Sequence, residues 1–213
     1  MVSHYVIVLA AFSSALTWDF EVHANATDFP NDVTKDEAYD QLLLQARALF
    51  AGQRNWVWYG ELCNVEERSN LANAASLLWH AYKAMPAPSN AVNWAGFYVR
   101  DRTSSKPRLL LGPFQGKVAC QSIQLGRGVC GRAAASGETQ VVDDVDEDAD
   151  HIACDDASKS EIVVPVVVTT GAGGREIVAV IDVDCAAKRG FDERDRQKLQ
   201  WLAELLAESC DWP

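Results

Sequence analysis

Hydrophobic positions along this chain change period twice, and each change marks a change of element. From Lys35 onward, Tyr39, Leu42, Leu43, Ala46, Leu49 and Phe50 recur at three- and four-residue steps, forming one stripe of an amphipathic helix. Thr34 is placed to cap its start and Gly52 to end it. Residues 51–59 (AGQRNWVWY) read as a tryptophan-rich connection. A second stripe of Leu71, Ala75, Leu78, Tyr82 and Met85 stops at Pro86-Ala87-Pro88, because proline lacks a backbone donor and disfavours helix in the residue before it.

The period then shortens to that of strands. Residues 93–100 (NWAGFYVR) are aromatic and bounded by turn-prone Ser89-Asn90 and by Asp101. After a polar turn at 103–107, residues 108–111 return as a partner strand, and Ile123 and 140–142 mark shorter ones. The β-branched run 161–168 (EIVVPVVV) contains Pro165, which calls for an edge position or a bulge. Residues 171–174 turn the chain, and 176–184 (EIVAVIDVD) complete a hairpin. Asp192 and Asp195 resemble a helix start, and Leu199, Leu202, Leu205, Leu206 and Ser209 form the inner stripe of that last helix. This order predicts one α+β domain over 34–213 with a largely antiparallel sheet flanked by helices, rather than a doubly wound parallel sheet. The terminal helices, with one apolar stripe each, pack together or against a second subunit.

Composition narrows the partners. The chain has 213 residues, 48% of them hydrophobic and 23% charged, enough to bury one good core. Its formal charge of −11 opposes nucleic acid and anionic membranes, which reward lysine and arginine, and suits a small cationic or zwitterionic ligand. Six cysteines are too few for a disulfide scaffold, and without a C-x-x-C pair or finger-like histidine spacing no metal is expected. Cys63, Cys185 and Cys210 read as packing or surface thiols. Residues 5–16 are apolar but too short to span a bilayer. They fit the apolar region of a signal peptide ending at Ala24-Asn25-Ala26, but the basic leader is missing, since the first positive side chain is Lys35. Residues 1–33 are therefore treated as a variable, disordered or processed extension, and a cytoplasmic location is expected.

Candidate chemistry concentrates in residues 112–161, which hold Cys120, Cys130 and Cys154. Each sits among small, loop-forming or acidic residues, a setting that suits a sulfur reached by substrate. Three such thiols can cooperate: one attacks, a second resolves the sulfenic acid as a disulfide, and an external dithiol restores the pair. They fit equally well as small buried hydrophobes. The segment GRGVCG (126–131) can offer backbone amides to a carboxylate or simply make a tight turn. Asp182 and Asp184 alternate on one strand and so face the same way, while Glu161 opens its hairpin partner. Such acids bind an ammonium group, hold a proton when crowding raises a pKa, or stand as solvated strand ends. Trp94 and Tyr98 share a strand face and either enclose a methyl or thioether group or fill a core. The acidic run 143–150 reads as a solvated loop. His151, three residues before Cys154, either tunes that thiolate or caps a turn.

Taken together, NWAGFY (93–98), LGPFQGKVAC (111–120), GRGVCG (126–131), HIACDDASKSEIVVP (151–165) and VIDVD (180–184) resemble the free methionine-(R)-sulfoxide reductases, enzymes built on a GAF domain. The resemblance spans residues 35–210. It implies a six-stranded antiparallel sheet between helices, typically in a homodimer. It also implies reduction of free L-methionine (R)-S-oxide with thioredoxin as reductant and no bound cofactor. By motif position it implies Cys154 as the attacking cysteine, Cys120 as the resolving one and Cys130 as the accessory one. Glu161, Asp182 and Asp184 match the family's polar substrate contacts, and Trp94 and Tyr98 its aromatic wall. Residues 103–107 and 64–69 lengthen loops relative to that pattern, and 1–33 have no counterpart. The alternative is a non-catalytic GAF module that senses a small ligand or redox state through the same cysteines.

Overall fold

Alternation along the central strands decides the architecture. The computed structural model describes residues 27–30, 33–52, 54, 69–152, 155–171 and 173–212. Strands β1 (Val92–Arg100), β2 (Arg108–Gly116), β3 (Ser122–Gln124), β4 (Gln140–Val142), β5 (Ser160–Thr169) and β6 (Arg175–Cys185) form one sheet in the order β3-β2-β1-β6-β5-β4. Every neighbouring pair is antiparallel. Around it stand α1 (Lys35–Phe50), α2 (Asn70–Ala84), α3 (Gly128–Ser136) and α4 (Glu193–Ser209).

Ala95, Phe97 and Val99 of β1, Ile162, Val164 and Val166 of β5, and Ala179, Ile181 and Val183 of β6 point to one side. There they join Leu42 of α1, Leu78 of α2 and Leu199 and Leu202 of α4 in the main core. Burying each such aliphatic side chain is worth about 1.5–3 kcal/mol, so this layer supplies most of the cohesion. The intervening residues Trp94, Tyr98, Val163 and Val180 point the other way and pack with Val129, Cys130, Ala133 and Ala134 of α3.

The terminal helices pack together, as one of the two sequence-based outcomes required. Capping boxes open both of them, Thr34 with Glu37 and Asp192 with Asp195. The Tyr39 hydroxyl donates to Asp195 Oδ1 at 2.8 Å and meets the Tyr82 hydroxyl, and Lys35 Nζ lies 2.5 Å from Asp195 Oδ2. One buried polar network thus ties α1, α2 and α4.

Two expectations change, and one is met in both its forms. β2 runs to Gly116 rather than ending at 111, because Gly112 and Pro113 continue in the strand instead of turning it. Both devices foreseen at Pro165 occur: β4 pairs with β5 only over Glu161 to Val163, leaving Pro165 on a local edge, and a register shift follows between Val166 and Val167. The segment read as a glycine turn is the start of α3, whose alanines carry no periodic stripe large enough to announce it. Gly131 is required there, since a Cβ would lie 2.4 Å from the Gln124 carbonyl oxygen. Residues 53 and 55–59 of the tryptophan-rich connection, the added residues 64–68 and the apolar run 5–16 lie outside the described residues.

Candidate active site

Strand register brings the acids of the hairpin into one place. Asp184 pairs with Glu161 on one side and Trp94 on the other, and Asp182 pairs with Val163 and Gly96. Residues directly opposed across antiparallel strands project to the same face, so the three carboxylates and the Trp94–Tyr98 pair share one surface. Gly96 leaves the gap this needs, as a Cβ there would sit 2.4 Å from Phe114 Cβ and 2.8 Å from the Trp94 ring. Trp94 consequently stacks between Tyr98 and Phe114, with ring centroids 5.9 and 5.3 Å away.

The polar ends of the two aromatics fasten a loop over this surface. Trp94 Nε1 donates to the Lys117 carbonyl and the Tyr98 hydroxyl to the Cys120 carbonyl, each at 3.1 Å. A second loop comes in from the far side: Asn93 Nδ2 donates to Asp155 Oδ2 at 3.3 Å and to Ser158 Oγ at 3.0 Å. Lys117 Nζ and Asp155 Oδ1, 3.2 Å apart, link the two loops. Beneath them lies a cavity of about 20 Å³ lined by Trp94, Tyr98, His151, Glu161, Asp182 and Asp184. A far larger groove, about 720 Å³, runs beside Pro165, Arg175 and Arg196, but its lining contains neither cysteine nor histidine. The small cavity is therefore the chemically equipped one.

Its electrostatics follow from burial. Loss of water pushes Glu161 up from 4.5 to about 7, against the opposing pull of His151. Asp182 is pushed well up by burial and by the neighbouring Glu161 charge, and Asp184 by burial and by Asp182. His151 Nε2 stands 3.5 Å from Glu161 Oε2, and this contact raises the imidazole despite partial burial. Three crowded acids thus face one imidazole, and Asp182 Oδ1 is buried with no hydrogen-bond partner. The arrangement can hold protons at neutral pH and attract a small cation.

The cysteines divide by environment. Cys120, half-buried, is disulfide-bonded, while Cys130, Cys185 and Cys210 are free and buried, so none of these three is its partner. Cys154 lies outside the described residues, between His151 and Asp155, which both line the cavity. Cys130 departs from the loop setting expected of it: it sits inside α3, 2% exposed, with its thiol toward Glu161 Oε1 at 3.9 Å. Burial and the Asp182 charge push that thiol well up, which disfavours the thiolate.

Two further corrections concern the acidic run and the glycine segment. Asp144, Asp146 and Asp148 are paired with Lys188, Lys159 and Arg132, and Val145 is buried, so the run 143–150 is fastened to the body rather than merely solvated. The amides of Gly126, Arg127 and Gly131 donate to carbonyls of their own turn, which removes them as carboxylate donors. Sequence reasoning left His151 unassigned and missed Phe114. Proximity to Cys154 is a signal for the first; the second lies in the block 111–120 that carries the resemblance, but the strand pattern does not reach it, because β2 reads as ending before it.

A single antiparallel sheet has α1, α2 and α4 on one side, and on the other α3 and a small polar cavity under loops; the GAF domain family profile matches residues 34–209. The chain is 47% identical over 188 residues to the free methionine-R-sulfoxide reductase of Saccharomyces cerevisiae, covering 88% of this chain and 94% of that protein. It is 37% identical over 174 residues to the Escherichia coli protein of the same name, covering 82% and 89%. Among solved structures, the Neisseria meningitidis free methionine-R-sulfoxide reductase in complex with its substrate aligns with a TM-score of 0.66 at 38% identity, covering 82% and 89%. The chain belongs to the GAF domain family and, within it, to the free methionine-R-sulfoxide reductases. Among the described residues no helix is long and apolar enough to cross a membrane.

Proposed function

We propose that this chain reduces free L-methionine (R)-S-oxide to L-methionine, with Cys154 as nucleophile, Cys120 as resolving cysteine and thioredoxin as the dithiol that restores them. The observation that carries this reading is the cavity itself, where acids and an imidazole face an aromatic wall beneath the loop bearing Cys120.

The Cys154 thiolate attacks the sulfoxide sulfur, oxygen passes to the cysteine, and methionine leaves, so that the thiol and sulfoxide become a sulfenic acid and a thioether. Cys120 then attacks that sulfenic acid, releasing water and forming the disulfide, which thioredoxin reduces by exchange. Sulfoxide oxygen leaves sulfur readily only when protonated. Asp182 and Asp184, whose carboxyls burial pushes well up, are suited to supply that proton. Glu161, beside His151, is suited to meet the substrate's ammonium. The engagement of Cys120 in a disulfide supports its resolving role. The cavity of about 20 Å³ holds little more than one water, so the linked loops part to admit substrate. A peptide-bonded methionine sulfoxide brings no ammonium to pair with the acids, which restricts the reaction to the free amino acid.

Cys130 is read as an accessory cysteine, close to Glu161 but shielded. Thioredoxin as donor and a homodimeric state rest on the family resemblance; light scattering on the purified protein tests the latter. The deciding experiment is turnover of the separated R and S epimers with a dithiol, measured as methionine released. Conversion of R with S largely untouched is expected. Binding of the R epimer without release by the fully reduced protein overturns the enzyme reading in favour of a sensor.

A further inference from the structure

The sequence spacing of cysteines and histidines gives no zinc motif, yet folding brings together three ligating groups that lie 31 and 21 residues apart in the chain. Cys130 of α3, Glu161 of β5 and Asp182 of β6 each offer one ligand atom, and these atoms all lie within 4.8 Å of one another in a buried site. We propose that these three residues bind a thiophilic divalent cation, with Zn²⁺ as the type, and that the bound cation excludes substrate from the pocket.

The geometry approaches that of a coordinated ion at one pair of its ligands. A tetrahedral zinc with sulfur at about 2.3 Å and oxygen at about 2.0 Å holds the two ligand atoms about 3.5 Å apart. Cys130 Sγ and Glu161 Oε1 are 3.9 Å apart, so that pair needs a closure of only a few tenths of an ångström, and Asp182 lies within 4.8 Å of both. Asp182 supplies an independent sign, for its Oδ1 is buried without a partner, a costly state that a cation removes. The other oxygen of Glu161 is held by His151 Nε2 at 3.5 Å, the kind of outer contact that orients a ligating carboxylate. Three protein ligands leave a fourth position for water, and the adjoining cavity of about 20 Å³ has room for one.

The donor set selects the ion. One thiolate with two carboxylates suits Zn²⁺ or Co²⁺, whereas Mg²⁺ and Ca²⁺ prefer oxygen ligands throughout. The ion also relieves the mutual repulsion of acids packed without a full charge partner. Binding releases the Cys130 proton and any proton held by the two carboxyls to solvent, so affinity rises with pH. Because Glu161 and Asp182 also line the proposed substrate cavity, cation and sulfoxide compete. That competitive part rests on the proposed function, whereas the site itself rests on geometry alone.

The test uses the full chain in its oxidised form, with Cys120 in its disulfide, and Co²⁺ as the probe. A thiolate-to-cobalt charge-transfer band is expected at one ion per chain, bleached by Zn²⁺ and by free methionine (R)-S-oxide. The band should vanish in C130S and D182N and persist in C185S and C210S. Should C130S fail to fold, D182N and E161Q carry the same comparison. Absence of the band in the wild type, or its survival in C130S, overturns the site. A band that substrate leaves untouched overturns the competition. Loss of R-epimer turnover in the metal-free, reduced wild type would instead sink the reductase reading, and so the two failures are distinguishable.

Discussion

Glu161 shows how strand position changes an acid. Held on the inner face of β5, it is 6% exposed, and its carboxyl rises to about 7 because water is lost. The folded state therefore binds more protons than the unfolded chain between pH 4.5 and about 7, and stability falls as pH rises through that window. A shift of this size corresponds to a loss on the order of 3 kcal/mol. Urea titrations from pH 4.5 to 8 should show a shallower decline for E161Q than for the wild type; parallel curves would refute the assignment. His151 is expected to act through Glu161, lowering its pKa while its own is raised. In H151N the acidic limb of the pH profile of kcat/KM should move to higher pH, because Glu161 must ionise to meet the ammonium. An unmoved limb would show that His151 serves only to shape its loop. At the cysteines, C154S should abolish even a single turnover, while C120S should permit the first turnover and stop thioredoxin recycling. Equal loss of the first turnover in both would undo the division of roles.

Among elements, α3 is placed by a contact that only glycine permits. In G131A the new methyl would meet the Gln124 carbonyl oxygen at 2.4 Å, forcing α3 away from β3. Overpacking of this kind typically costs about 1–3 kcal/mol, and thermal denaturation should register it. The same shift carries Cys130 off Glu161, so alkylation of that thiol should accelerate; unchanged stability and reactivity together would count against the tight seat. The helical layer has its own polar lock in Tyr39, Tyr82 and Asp195. Removing the Tyr39 hydroxyl leaves Asp195 short of a donor, and Y39F should lose about 1–3 kcal/mol in urea unfolding with little effect on KM, since the lock lies across the sheet from the cavity.

At the scale of the whole molecule, the sheet separates cohesion from chemistry. One face holds the aliphatic core against α1, α2 and α4; the other holds acids, aromatics and the two linked loops. Substrate should therefore stabilise the fold in proportion to its ammonium contact. A thermal shift is expected with free methionine (R)-S-oxide and not with its N-acetyl derivative, whose nitrogen carries no charge. An equal shift with both would mean that the acids do not read the ammonium group.

Much of this was legible along the chain. Caps at Thr34 and Asp192, the hairpin of β5 and β6 and the shared face of Asp182 and Asp184 all follow from local rules, in which period and capping depend on near neighbours. Motif order pointed to the family and to Trp94, Tyr98 and Glu161, which line one cavity. What stayed hidden was anything set by long-range placement. A helix of small residues such as α3 has no stripe to reveal it, and the burial of Cys130 depends on elements more than thirty residues away. Strand register alone put Asp184 between Glu161 and Trp94, and loop docking alone put His151 against Glu161. Residue types and their local period are properties of the chain, whereas proton affinity and ligand grouping depend on which distant side chains exclude water together.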